Sequence, residues 1–302
     1  MNSQNMTDSI YNHQNDEFFL QCQVAQSREY TKAKSLTQCK GILTFTFAIF
    51  SAVASVVDND WLWLPALVSF LAVALTLFNK HSDERIKAIK KHAASLQQYI
   101  DVALFAPAIG NSFSAWGNVP TKSDLAESVS IYTNEDVSAF VNWYSDYSYL
   151  NHEEQVFYCQ KENVRWNYTL HKSYEKLLKY LLIVFLVAAV IIFLATDISF
   201  IKLFFILSWC IPIAEYCWSV KKELNASIAI LCDTELYSQE LENKLKTSTP
   251  GVLKDELINL QYKIWNCREN GYLISDWFYN LYKENYQKKE DNMAKTMQSI
   301  DK

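Results

Sequence analysis

Leu177 to Val220 reads LLKYLLIVFLVAAVIIFLATDISFIKLFFILSWCIPIAEYCWSV, and the reading of this stretch decides the fold. Tyr180 to Thr196 gives 17 residues without a charge, and Leu177 and Leu178 extend the apolar run. A helix of about 20 such residues crosses a hydrocarbon core of roughly 30 Å. After the turn Thr196-Asp-Ile-Ser199 a second apolar run returns through Phe204, Phe205, Ile206 and Leu207. The pattern is a membrane hairpin. A second one lies upstream, where Gly41 to Val57 gives 17 uncharged residues, Asp58-Asn-Asp60 the turn, and Trp61 to Asn79 a further 19. Trp61 and Trp63 sit beside that turn, where aromatic rings favour the headgroup zone.

Basic residues gather on one side of both hairpins. Arg28, Lys32, Lys34 and Lys40 precede the first span, and Lys80, Arg85, Lys87, Lys90 and Lys91 follow the second. Lys172, Lys176 and Lys179 precede the third, and Lys221 and Lys222 follow the fourth. The turns carry Asp58, Asp60 and Asp197, with Lys202 at the edge of the fourth span. This asymmetry predicts that both termini and the middle region are cytoplasmic. The expected fold is an all-α membrane protein: four transmembrane helices as two hairpins, with helical cytoplasmic stalks and a mainly helical cytoplasmic domain. Its expected parts are an amphipathic N-terminal helix over 1–40, hairpins over 41–79 and 177–220, a stalk and middle region over 80–176, and C-terminal helices over 221–302.

The polar segments support this reading. Ile86, Ile89, Ala93, Leu96 and Ile100 step by 3, 4, 3 and 4, and Leu253, Leu257, Leu260, Ile264 and Cys267 by 4, 3, 4 and 3. Residues 1–14 read as loosely held, Pro107 to Pro120 as loop, and the last dozen residues as frayed. Thr249 and Pro250 are placed to start a helix that Asn270-Gly271 ends.

Of 302 residues half are hydrophobic, and the formal charge is -5. Without a broad Lys/Arg stripe, duplex nucleic acid is not an expected partner. A small anion needs only a few positive groups. Seven scattered cysteines and five histidines form no metal-ligand spacing, and no GxSxG, HExxH, Walker or dinucleotide motif occurs. No enzymatic activity, cofactor or metal is expected. Lys161, Arg165, Lys172 and Arg268 are candidate anion-binding charges, and Trp143, Tyr144, Trp166, Trp265 and Trp277 are candidate stacking platforms. In the fourth span Glu215 and Tyr216 stand out, because a carboxylate in a bilayer needs a partner or a watery cavity. Asp58, Asp60 and Asp197 would form an acidic mouth if several subunits surrounded a pore.

Four elements carry a family resemblance. Ala25, Gln26, Arg28, Tyr30, Ala33 and Lys34 match an A-Q-R-x-x-Y-x-x-A-K element, with Ser27 displacing the arginine by one. Asn142-Trp143-Tyr144 matches an N-W-Y element. Cys159, Gln160, Asn163 and Trp166 match C-Q-R-x-N…W, with Lys161 in place of arginine. Arg268, Asp276, Trp277 and Tyr279 follow R-x-x-N-P-x-x-x-D-W-x-Y, without the proline and with altered spacing. Nearly the whole chain thereby resembles the S-4TM family, four-transmembrane pore-forming effectors of bacterial antiphage defence.

The resemblance implies an effector of the inner membrane, functionally linked to a cyclic-nucleotide synthase and activated by a cyclic di- or oligonucleotide. It implies damage to the lipid bilayer by a homo-oligomer and no fixed catalytic residues. The ligand-binding candidates are Trp143, Tyr144, Lys161, Arg165, Trp166 and Arg268. The pore-lining or gating candidates are Glu215, Tyr216, Asp58, Asp60 and Asp197. A lipid-modifying membrane enzyme and a passive scaffold for a cytosolic partner are the alternative classes.

Overall fold

A computed structural model of the chain describes residues 9–56, 63–110, 112–195, 200–245 and 250–300. Among the described residues every regular element is helical. Four long helices dominate: α2 (Glu17–Val56), α3 (Trp63–Ala108), α5 (His152–Ala195) and α6 (Phe200–Leu245). At 1.5 Å per residue each is about 60–70 Å long, roughly twice the hydrocarbon thickness of a bilayer. Each therefore has an apolar half and a polar half within one continuous rod. Shorter helices α1 (Ile10–His13), α4 (Lys122–Ser130), α7 (Pro250–Asn270) and α8 (Asp276–Ile300) join only the polar halves.

Local chemistry explains the starts. Thr121 accepts from the Asp124 amide at 3.2 Å at the head of α4. Asn151 and Glu154 form a reciprocal capping box before α5, at 2.9 and 3.3 Å. The break between α6 and α7 falls where Ser248-Thr-Pro-Gly251 interrupts the pattern, although Thr249 itself lies outside the described residues.

In the polar halves the expected helical faces are buried. Ala93 of α3 is buried, and Leu96 and Ile100 share a core with Leu253, Leu257, Leu260 and Ile264 of α7, completed by Phe105, Val156 and Phe157. The apolar halves behave differently. Along α3, Phe70 is 70 % exposed and Val73 61 %, whereas Leu96 and Ile100 are at 0 and 1 %. Among the described residues, α3 is the helix long and apolar enough to cross a membrane, and none of that apolar window is buried.

Three expectations change. The N-terminal segment is seated from Ser9 on: Ser9, Ile10 and Gln14 are buried, because the Gln14 amide bonds the backbone of Tyr144 in both directions, at 2.7 and 3.1 Å. The last dozen residues, expected to fray, are helical as far as they are described. The C-terminal helix runs to Ile300, with Glu290 and Ala294 buried and the Tyr149 hydroxyl donating to the Ala294 carbonyl at 3.1 Å. Finally, α3 carries Pro107 in its last turn, so the loop starts two residues later than the sequence suggests. Gly110 and Gly117 supply left-handed turns there, with φ of 61° and 62°.

Candidate ligand-binding site

A cavity of about 530 Å³ opens among the polar halves of α2 and α5, the 139–144 loop, the end of α7 and the start of α8. Helical spacing selects what faces it. From α2 come Gln26, Tyr30 and Lys34, four residues apart, with Arg28 beside them. From α5 come Glu162, Asn163, Trp166 and Asn167, and from α8 Asp276, Tyr279 and Lys283. The 139–144 loop presents Phe140 and Trp143. That loop is held by amides: Asn15 and Asn142 pair reciprocally at 2.8 and 2.9 Å, and Gln14 takes the Tyr144 backbone. Asn142 adopts φ 56°, a left-handed conformation that asparagine tolerates.

Arg268, at the end of α7, forms the floor. Its side chain is 5 % exposed, and Nη1 donates to Asp101 Oδ2 at 2.6 Å. Nε and Nη2 are buried and have no protein partner among the described residues. A buried guanidinium with two open donors is a costly arrangement unless something else occupies them.

Asp101 on α3 is itself saturated. It accepts from the Tyr144 hydroxyl at 2.6 Å and from Gln261 Nε2 at 2.8 Å, besides Arg268. Asn163 donates to the Tyr144 oxygen at 2.8 Å, and Gln160 to Gln261 at 3.1 Å. One buried network therefore ties the cavity floor to α3, α5 and α7. Burial, and then the Asp101 carboxylate, hold the Tyr144 phenol far above its ordinary pKa, so it remains a donor.

Two more titratable groups line the cavity. Burial pushes the Glu162 carboxyl up to about 8, against the opposing bonds from the Ser145 amide and hydroxyl. At neutral pH it is mostly protonated, which removes an anion from the wall. Burial also lowers the His171 pKa, while the carbonyls of Asn167 at 2.8 Å and Tyr272 at 3.2 Å pull the other way.

The cations at the rim differ in how they are held. Lys34 pairs with Asp276 at 2.5 Å and lies 5.9 Å from the Tyr279 ring centre. Arg28 pairs with Glu135. Lys283 donates to the neutral Ala139 carbonyl at 3.0 Å and makes no ion pair among the described residues.

Of the six ligand candidates read from the sequence, Trp143, Tyr144, Trp166 and Arg268 line this cavity. Lys161 and Arg165 do not; Lys161 is paired to Glu242 and Arg165 to Glu290 through the back of α5. Arg28, Lys34, Asn163, His171, Tyr279 and Lys283 were not singled out as ligand candidates, yet they line it. The available signal was helical spacing from Gln26 to Lys34, the same register that buries Cys22, Ala25 and Ala33. Among the gating candidates Glu215 is exposed. Tyr216 packs its hydroxyl over Gly41, where a Cβ would come within 2.6 Å, and meets Phe45 edge-on at 5.6 Å. Asp58, Asp60 and Asp197 lie outside the described residues. A second hollow, of about 750 Å³, lies between α1, the end of α3 and the start of α5; its walls, including Ile10, Phe19 and Leu104, carry none of the four family elements.

Residues 8–300 match the family described as SMODS-associating 4TM effector domain. The chain belongs to this family. No curated protein and no solved structure matches it. Membership covers nearly the whole length, so the resemblance carried by four short elements extends to the complete chain. The family is one of membrane effectors associated with cyclic-oligonucleotide signalling. Its elements, remote in sequence, converge here: Gln26, Arg28, Tyr30 and Lys34 from the first, Asn142-Trp143-Tyr144 from the second, Asn163 and Trp166 from the third, and Arg268, Asp276 and Tyr279 from the fourth all line one cavity. Gln160 lies directly beneath, and Trp277 points away, 58 % exposed.

Proposed function

We propose that the chain is a non-catalytic antiphage effector that binds a cyclic nucleotide in the cavity floored by Arg268 and then opens an oligomeric pore, or otherwise disrupts the inner membrane. The convergence on that cavity of the four elements that carry the resemblance, over an Arg268 whose buried Nε and Nη2 have no partner among the described residues, carries this reading. A phosphate oxygen accepts from a guanidinium through two parallel bonds, the geometry that Nε and Nη2 offer. Half-buried aromatic rings beside it suit a base.

Four spans with a cytoplasmic ligand domain follow from the two apolar hairpins and the lysines on one side of both. Coupling to the bilayer uses the continuity of the helices. Lys34 is seven residues from Gly41 on α2, about 10 Å along the axis, and Asp101, the partner of Arg268, sits on the same rod, α3, that carries Phe70 and Val73. A single four-helix bundle fills its own interior, so a pore requires several copies around an axis. Ligand opens it only by favouring the open assembly over the closed one by a few kcal/mol. A cyclic-nucleotide synthase would supply the ligand.

The test is dye release from sealed vesicles containing the purified chain, across a panel of cyclic mono-, di- and trinucleotides. Release with one member, abolished by Arg268→Ala and restored in part by Arg268→Lys, is the expected result. Impermeable vesicles across the panel, with the protein shown to be folded and inserted, would overturn the gated pore.

A further inference from the structure

We propose that the Arg268 cavity takes a ligand with two bases and two phosphates, a cyclic dinucleotide, and excludes larger cyclic oligonucleotides. This rests on the cyclic-nucleotide reading above and narrows it. The walls offer two platforms for a base and two cations for a phosphate. Two aromatic pairs line the cavity from different elements. Phe140 and Trp143 lie 6.4 Å apart in the 139–144 loop, and Trp166 of α5 lies 6.2 Å from Tyr279 of α8. Each pair presents half-buried ring surface on which one base can stack.

Two cationic positions retain donors for a phosphate. Among the described residues Arg268 at the floor has Nε and Nη2 without a partner, both shielded from solvent in this conformation so that a phosphate reaches them when the wall above parts, and Lys283 at the mouth is held only by the Ala139 carbonyl. Arg28 and Lys34, by contrast, are already matched to Glu135 and Asp276. Glu162, with its carboxyl pushed up to about 8, adds little opposing charge at neutral pH.

The same count sets the size of the ligand. A mononucleotide would leave one aromatic pair and one cation without a partner. A trinucleotide would have to leave a third base and phosphate outside.

The experiment uses the full-length chain in nanodiscs and measures binding of 3′,5′-cyclic AMP, cyclic di-AMP, cyclic di-GMP, cyclic GMP–AMP and cyclic tri-AMP by calorimetry. The expected result is at least one dinucleotide binding tenfold or more tighter than both the mononucleotide and the trinucleotide. Trp143→Ala and Trp166→Ala should each weaken that dinucleotide about tenfold, since one base stack is worth that much. Trp143→Phe and Trp166→Phe should restore most of the affinity, and the thermal midpoints of all four variants report that they fold. Tightest binding of cyclic tri-AMP or of cyclic AMP would overturn the inference and leave the cyclic-nucleotide reading standing. So would a dinucleotide whose affinity depends on one tryptophan alone. Binding of no member would overturn both.

Discussion

The same helices obey opposite packing rules at their two ends. In the polar half of α5, Gln160, Glu162 and Asn163 are buried, and each makes a hydrogen bond to a named partner. In the apolar half of that helix Leu181, Val184 and Ile191 are exposed. Three hydroxyls of the apolar halves of α2 and α3 look inward to their own helix: Thr44, Ser69 and Thr76 each donate to the carbonyl four residues earlier, at 2.9 Å. Where water is the solvent, polar groups can be buried only if another element satisfies them. Where hydrocarbon is the solvent, a lone hydroxyl must be satisfied within its helix, and close approach relies on small residues such as Gly41 under Tyr216. Exposed apolar halves and satisfied polar halves share continuous rods.

Breaking the polar half at its centre should have the largest effect. Arg268→Ala leaves Asp101 as a buried carboxylate without its counter-charge and should destabilise the polar half by about 3–5 kcal/mol, read as a lower urea midpoint. Asp101→Asn in the same chain should recover a substantial part of that loss. An unchanged midpoint for Arg268→Ala would show that the pair is not the keystone of the network.

A charge on the apolar half comes next. Val73→Lys should cost about 2.5–3.5 kcal/mol in membrane insertion and move protein from the carbonate-resistant membrane fraction into aggregates. Leu281 of α8 is just as exposed, at 62 %, yet Leu281→Lys should change the thermal midpoint negligibly, within about 0.5 kcal/mol. Equal tolerance at both positions would dissolve the contrast between the halves.

Gly41→Ala tests the junction. Its Cβ would come within 2.6 Å of the Tyr216 hydroxyl, so α2 and α6 must separate or the ring must turn, at roughly 1–3 kcal/mol. Tyr216→Phe removes the crowded oxygen and should relieve much of this in the double variant, measured by thermal unfolding in detergent.

The most graded effect is on pH. The Glu162 pKa is raised in the folded chain to about 8 from an ordinary 4.5, so the folded state holds this proton more tightly. Its contribution to stability is complete below about pH 4.5 and is lost as pH rises through about 8. Glu162→Gln should flatten that slope in urea titrations from pH 5 to 8.5. A slope unchanged by the substitution would place the titration elsewhere.

Much of this protein was legible in its sequence. Apolar runs, the steps of 3 and 4 along 86–100 and 253–267, and Asn270-Gly271 as a helix end are local signals, and the helices follow them. Gly271 ends α7 because a Cβ there would lie 2.4 Å from the Cys267 carbonyl. Four of six ligand candidates also proved to line one cavity, because charge and aromaticity near the family elements are visible residue by residue.

What the sequence could not assign was the use of each charge. Lys161 and Arg165 look as available as Arg268, but Glu242 and Glu290, on helices distant in sequence, pair with the first two. Lys34 meets Asp276 across 242 positions, and Gln14 meets Tyr144 across 130. The amino-acid order determined helices, their two solvents and the register of every buried face, since these depend on spacing within a few turns. The tertiary structure alone decided which polar groups were consumed and which were left open, because hydrogen-bond satisfaction depends on which helices meet. On that basis Arg268, with two free donors, became the floor of a site.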